Sequence, residues 1–211
     1  MQLGAFSSMA FSICTWFYRL AFINLLWIIF TLLGLVVLGF FPATVAMLAT
    51  LRQYLNKNEV NLFPYFWGYY KKEFIESNKL GGIITSIGLI LYINLNFLQI
   101  NKTGITEFLY FSSVTLSFLY LLIICYLLAS YVEFNLDLKT HIKNSVLIAI
   151  YNPLASLFII FGFVTVYYAV TFISGLGFFF SASMFGIVIL SSANIAYRKI
   201  QQKQEKLQTN T

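Results

Sequence analysis

Residues 144–197 read NSVLIAIYNPLASLFIIFGFVTVYYAVTFISGLGFFFSASMFGIVILSSANIAY, 54 positions without one charged side chain. As a single helix this run would extend about 80 Å at 1.5 Å per residue. A bilayer's hydrocarbon core is crossed by about 20 apolar residues. The run is therefore expected to form a hairpin of two membrane helices, with its turn near residues 172–177, where Gly175 and Gly177 relax the backbone. Three further charge-free stretches, Leu20–Leu51, Leu80–Asn101 and Phe108–Val132, hold 32, 22 and 25 residues. Together the four define an all-α, polytopic helical membrane bundle of five to six membrane helices.

Composition leaves no soluble alternative. Of the 211 residues 60% are hydrophobic and 9% charged, against roughly a quarter charged in ordinary soluble domains. No Gly/Ser-rich linker or charge block divides the chain, so residues 1–211 read as one integral membrane domain. The net charge of +6 follows topology and does not point to nucleic acid. Arg52, Lys57, Lys71, Lys72 and Lys79 lie between the first two apolar stretches, Lys139 and Lys143 between the last two, and Arg198, Lys199, Lys203 and Lys206 in the tail. The connector between the second and third stretches holds only Lys102.

Basic residues mark the cytoplasmic side of a membrane protein, so this is expected to be a multi-pass protein of the cytoplasmic membrane. Its basic inner face would meet anionic headgroups. Leu80–Phe97 leaves the cytoplasm, residues 99–107 lie outside, Phe108–Ser130 returns, and the polar tail 198–211 is cytoplasmic. In the first stretch Pro42, which lacks an amide donor, reads as a helix break. A span from Trp16 to Leu38, a turn at Gly39–Phe41 and a shorter helix from Pro42 to Asn56 place the N-terminus inside. One tilted span with the N-terminus outside is the alternative. The segment before Met9 has no basic n-region, so the first span reads as an uncleaved insertion signal.

Residues 62–79 are the most patterned piece. Phe63, Phe66, Trp67, Tyr70 and Phe74 fall at i, i+3, i+4, i+7 and i+11, on one narrow helical face. Lys72 and Glu76 take the opposite side, and Pro64 suits a first turn. An aromatic face with a charged back describes an interfacial helix on the cytoplasmic surface. It either braces the bundle or docks a partner.

Ionisable groups are missing from the middle of every span, which weighs against a proton-coupled pump. Asn24, Asn94, Asn96, Asn152 and Asn194 remain as intramembrane polar groups, either bonding helices together or lining a solute path. Cys14 and Cys125 read as buried reduced thiols. Asn101-Lys102-Thr103 matches a glycosylation sequon, which matters only in a secretory eukaryotic host. His141, between Lys139 and Lys143, reads as a solvated side chain. Glu133 and Asp137, spaced i and i+4, lack the His or Cys company of a metal site. No GxSxG, HExxH, phosphate-loop or dinucleotide motif occurs, so no cofactor, metal or enzymatic activity is expected.

The run Asn24-Leu25-Leu26-Trp27, then Pro42-Ala43-Thr44-Val45-Ala46, Arg52, Lys57, Phe63, Phe66, Lys71-Lys72 and Leu80-Gly81 resembles the YesL family of bacterial membrane proteins. The family pattern has Gly before the proline where this chain has Phe41. Family members are uncharacterised, and their genes often lie beside sugar-uptake and sugar-sensing systems of Gram-positive bacteria. The resemblance thus implies a link to carbohydrate transport and carries over no catalytic residues. Two roles stay open: an accessory protein of a sugar permease or sensor, and a small transporter or channel in its own right. The orientation is checked with reporters: one fused after Thr211 is expected to read as cytoplasmic and one inserted near Thr103 as external.

Overall fold

The computed structural model describes residues 2–100, 104–173 and 175–208, with side-chain surroundings over 7–100, 104–173 and 175–202. The sequon and Lys102 fall outside the described residues. Seven helices are described: α1 (Gln2–Leu33), α2 (Val37–Leu55), α3 (Leu62–Ile100), α4 (Gly104–Glu133), α5 (Leu138–Tyr151), α6 (Pro153–Phe172) and α7 (Leu176–Gln208). Five of them, all but α2 and α5, are long and apolar enough to cross a membrane. Ile23 and Leu26 of α1, Leu48 and Leu51 of α2, Tyr126 of α4 and Leu190 of α7 meet in the central core.

The first apolar stretch folds as a span plus a returning helix, but the turn is earlier than expected. It occupies residues 34–36, where Leu35 and Val36 take left-handed φ angles of 57° and 65°, unusual for bulky side chains. Gly39 is not a turn residue. It lets α2 press against α1, because a Cβ there would collide with the Phe30 and Thr31 carbonyls, and one on Gly34 would collide with the Gly39 backbone. At the other end Arg19 pairs with Glu59 at 2.5 Å and lies 4.3 Å over the Tyr54 ring, fastening α1 to the end of α2 and the connector beyond it.

Pro42 does not break the chain into a new helix; it lies inside α2. A proline at this position leaves the carbonyl four residues earlier without its helical donor. That carbonyl, Leu38 O, accepts a hydrogen bond from Asn78 Nδ2 of α3 at 3.0 Å. Next to it, the Phe41 ring covers Gly81 so closely that any Cβ would overlap it. The phenylalanine preceding the proline is thus accommodated by a glycine on the neighbouring helix.

The interfacial segment 62–79 is not a separate helix. It is the first half of α3, which continues without interruption to Ile100, about 58 Å at 1.5 Å per residue. Its first half runs antiparallel to α2, joined by Gln53 Nε2 to Tyr65 Oη at 2.9 Å and by the Asn78 contact. The turn between α1 and α2 therefore sits beside residues 70–81 of α3. Past Ile84, Leu98 is the one buried side chain of α3 among the described residues, and the buried part of α4 begins at Leu122. The outer halves of α3 and α4 form a two-helix arm that projects about 24 Å beyond Ile84. Tyr120 Oη donates to the Ile84 carbonyl at its base, and Ser113 Oγ donates to Asn94 Oδ1 at 2.9 Å farther out.

The 54-residue run is not a simple two-armed hairpin. Its first arm is divided at Asn152–Pro153 into the end of α5 and the whole of α6. Pro153 leaves the Ala149 carbonyl without a helical donor, and Ser156 Oγ lies within 3.5 Å of it. The turn falls where expected, between Phe172 and Leu176, with Gly175 at φ 92°. The polar tail continues α7 as helix to Gln208. Cys125 is buried but Cys14 is exposed on α1, which corrects the expectation for that thiol.

If Asn78 compensates for Pro42, Asn78→Ala is expected to cost about 1 kcal/mol of stability in detergent. In a Pro42→Ala background the new alanine supplies its own N–H, and the same substitution of Asn78 should cost a small fraction of that. A thermal double-mutant cycle measures the difference.

Candidate functional site

The aromatic stripe is split by the fold. Phe66 and Tyr70 are buried, Phe74 is half-buried, and Phe63 and Trp67 are exposed. Phe63, Phe66, Trp67 and Tyr70 surround the single ring of Phe30 on α1, with centroid separations of 6.3, 5.3, 5.1 and 4.9 Å. Tyr70 Oη also donates to the Phe30 carbonyl at 3.1 Å. Aromatic pairs at these distances add to ordinary burial, so the stripe braces α3 against α1. Its exposed edge is the Trp67 ring, with Lys71 Nζ 4.4 Å from the centroid.

The five asparagines do not converge. Asn24 is fully buried and clamps α1 to α7: Nδ2 donates to the Phe178 carbonyl at 2.7 Å, while Oδ1 accepts from the Ala182 and Ser183 amides at 2.9 and 3.2 Å. Asn94 is exposed on the arm, and Asn96, also exposed, donates to the Tyr92 carbonyl of its own helix. Asn152 is buried at the α5–α6 break, where its carbonyl accepts from the Ser156 amide at 3.1 Å. Asn194 is half-buried on α7. They lie on α1, on the outer half of α3, at the α5–α6 break and on α7.

What does converge is charge. A cavity of about 820 Å³ opens where α2, the first half of α3, the end of α4 and the start of α5 meet. Glu73, Glu76, Glu133 and Asp137, four of the chain's seven acidic residues, line it together with Arg52 and Lys72. Arg52 makes a forked pair with Glu133, Nε to Oε2 at 2.5 Å and Nη2 to Oε1 at 3.2 Å, and its Nη1 donates to the Val132 carbonyl at 3.0 Å. Glu73 accepts from Tyr131 Oη at 2.8 Å and lies 3.3 Å from Lys72 Nζ. Asp137 caps α5 by accepting from the Thr140 amide and hydroxyl at 3.2 and 2.5 Å. Glu133 and Asp137 are thus brought to one cavity from the end of one helix and the start of the next.

His141 is the largest departure from expectation. It is 1% exposed, lines the cavity, and its Nδ1 lies 2.9 Å from Ser130 Oγ. The Tyr131 ring lies 5.5 Å away. A serine beside an imidazole can suggest nucleophile and base. Ser130 itself is buried within α4, and the pair fastens α5 onto α4. Among the described residues no three His, Cys, Asp or Glu side chains are grouped to hold a metal ion. Apart from the spacing of Glu133 and Asp137, sequence reasoning did not join these residues into one site. The signal was present in the acidic side chains that interrupt otherwise basic connectors.

The chain belongs to a family without an assigned activity, described as "Protein of unknown function, DUF624", whose pattern residues 20–95 match. It is 31% identical to Uncharacterized protein YesL of Bacillus subtilis (strain 168) over 92% of this chain and 91% of that protein. Uncharacterized protein YteU of the same organism is 30% identical over 90% of this chain and 85% of its own length. Uncharacterized protein YesV, also from that strain, is 28% identical over 92% and 93%. No solved structure matches the chain.

Burial holds the His141 imidazole below its ordinary value, opposed by the Asp137 carboxylate and the Leu136 carbonyl. As pH falls below about 6.5 the unfolded chain takes the proton first, so stability is expected to decline until the folded imidazole also titrates. The loss is about 1.4 kcal/mol for each unit separating the two states. Asp137, held low chiefly by the Thr140 hydroxyl, contributes its own loss only under stronger acid, below about pH 4. Melting curves between about pH 7 and 5 are expected to show the decline in the parent protein and a flatter profile in His141→Gln.

Proposed function

We propose that the protein is an accessory component of the cytoplasmic membrane that serves a carbohydrate uptake or sensing system and binds instead of catalysing. The observation that carries this reading is the separation of its polar groups. The intramembrane asparagines are dispersed into helix contacts and caps, whereas the charged side chains gather in a cavity at the basic end of the bundle. A conduit needs polar groups aligned through the apolar layer; an interaction protein needs them where a partner or ligand arrives. The gene association implied by the YesL resemblance supplies the carbohydrate link.

In this reading the cavity faces the cytoplasm under the positive-inside rule. Exposed Lys71, Lys72, Lys143, Arg198 and Lys199 contact anionic headgroups or the partner around it. The exposed Phe63 and Trp67 edge and the apolar α3–α4 arm offer further contact surface, and nucleic acid has no place in the scheme. Purification of the tagged full-length chain from its native membranes in mild detergent tests the proposal. Stoichiometric recovery of a sugar permease or its sensor supports it, and solute flux in liposomes containing this protein alone overturns it in favour of a transporter.

A further inference from the structure

We infer that the cavity between α2, α3, α4 and α5 is a binding site for a neutral, polyhydroxylated small molecule of monosaccharide to disaccharide size. The inference deepens the accessory reading and rests on it for the ligand's biological source. Its physical basis is independent. A volume of about 820 Å³ suits a small-molecule site.

The charges around the cavity are already paired. Arg52 is committed to Glu133, Glu73 to Tyr131 and Lys72, and Asp137 to the α5 cap. Glu76 pairs with Lys79 at 2.7 Å. A bare ion gains little from such a site, because capturing it would mean breaking a pair that is already satisfied. The lining carries two basic groups, Arg52 and Lys72, against four carboxylates, so an anion is also repelled.

Paired charges nevertheless keep hydrogen-bonding capacity. A carboxylate has about four lone-pair sites and a guanidinium about five N–H donors. The contacts already made occupy only part of that number. A hydroxyl group both donates and accepts, so adjacent hydroxyls can bridge a carboxylate and its cationic partner without separating them. Such charge-assisted bonds are the stronger kind. The remaining wall includes Tyr69, Tyr131 and Phe134. Phe134 is exposed and offers apolar surface to the C–H face of a sugar ring, while Tyr69, stacked on Tyr65 and under Lys72 Nζ, holds that cation at the cavity wall. Mixed polar and aromatic lining of this sort matches a molecule with a hydroxylated rim and an apolar face.

Isothermal titration of the full-length protein, in a detergent without a sugar headgroup, tests the site. The probes are a panel of neutral pentoses, hexoses, deoxyhexoses and disaccharides, with glucuronate and guanidinium as charged controls. Saturable binding of at least one neutral sugar is expected, weakened about tenfold by Glu73→Gln and by Tyr69→Leu, with circular dichroism unchanged. Glu73→Gln keeps an acceptor for Tyr131, so the fold is retained if Tyr69→Leu proves unstable. The inference is overturned if no neutral sugar saturates the folded protein, if guanidinium or glucuronate alone does, or if neither substitution weakens sugar binding. Sugar binding without any recovered permease would leave this site standing and remove the accessory role; a permease recovered with no sugar binding would do the reverse.

Discussion

The Asn24 clamp is the contact on which the arrangement of the bundle turns. Its amide engages the Phe178 carbonyl and the Ala182 amide, the two groups that a regular helix would join directly. A side chain that bonds both members of such a pair acts as an added peptide unit in the wall of α7. In an apolar surrounding no water competes for these bonds, so α1 and α7 are held in one register. Because α2 doubles back on α1 and α6 on α7, the position of one asparagine is passed to both hairpins. Trp27, one turn along α1, donates to Thr44 on α2 at 3.0 Å and continues the connection.

Two levels of polarity result. Inside the bundle several polar side chains repair or join backbone: Asn24 at α7, Asn78 at the proline of α2, Ser156 beside the proline that opens α6. At the basic end they are used collectively, and the forked Arg52–Glu133 pair ties α2 to the end of α4 while Tyr131 and Glu73 tie α4 to α3. A forked guanidinium–carboxylate pair fixes orientation as well as distance. The cavity is therefore bounded by parts whose relative placement is determined, and His141 closes one side by anchoring α5.

Helical class and the number of spanning segments were legible because the absence of charge over long runs has one physical solution in a bilayer. The turn at Gly175 was legible for the same reason that it forms there, a left-handed φ that glycine takes without strain. Pro42 misled because its cost is local whereas its remedy, Asn78, lies on another helix and carries no mark in the sequence. The continuity of α3 was hidden by a change of environment at Leu80: the pattern shifts from amphipathic to apolar although the backbone does not alter. His141 was misjudged from its lysine neighbours, since one helical turn carries both an exposed and a buried face. Phe41 stands where the resemblance led to the expectation of glycine, and Gly81 on α3 provides the space for its ring.

The Pro42–Asn78 contact also has a bearing on how the chain is made. Synthesis produces α2 well before Asn78, and during that interval the Leu38 carbonyl has no donor within its own helix. An unpaired carbonyl is costly away from water, so the proline of α2 is accommodated once the first half of α3 lies beside it. Residues 38 and 78 lie 40 positions apart, so α2 is completed as a helix only by its packing against α3.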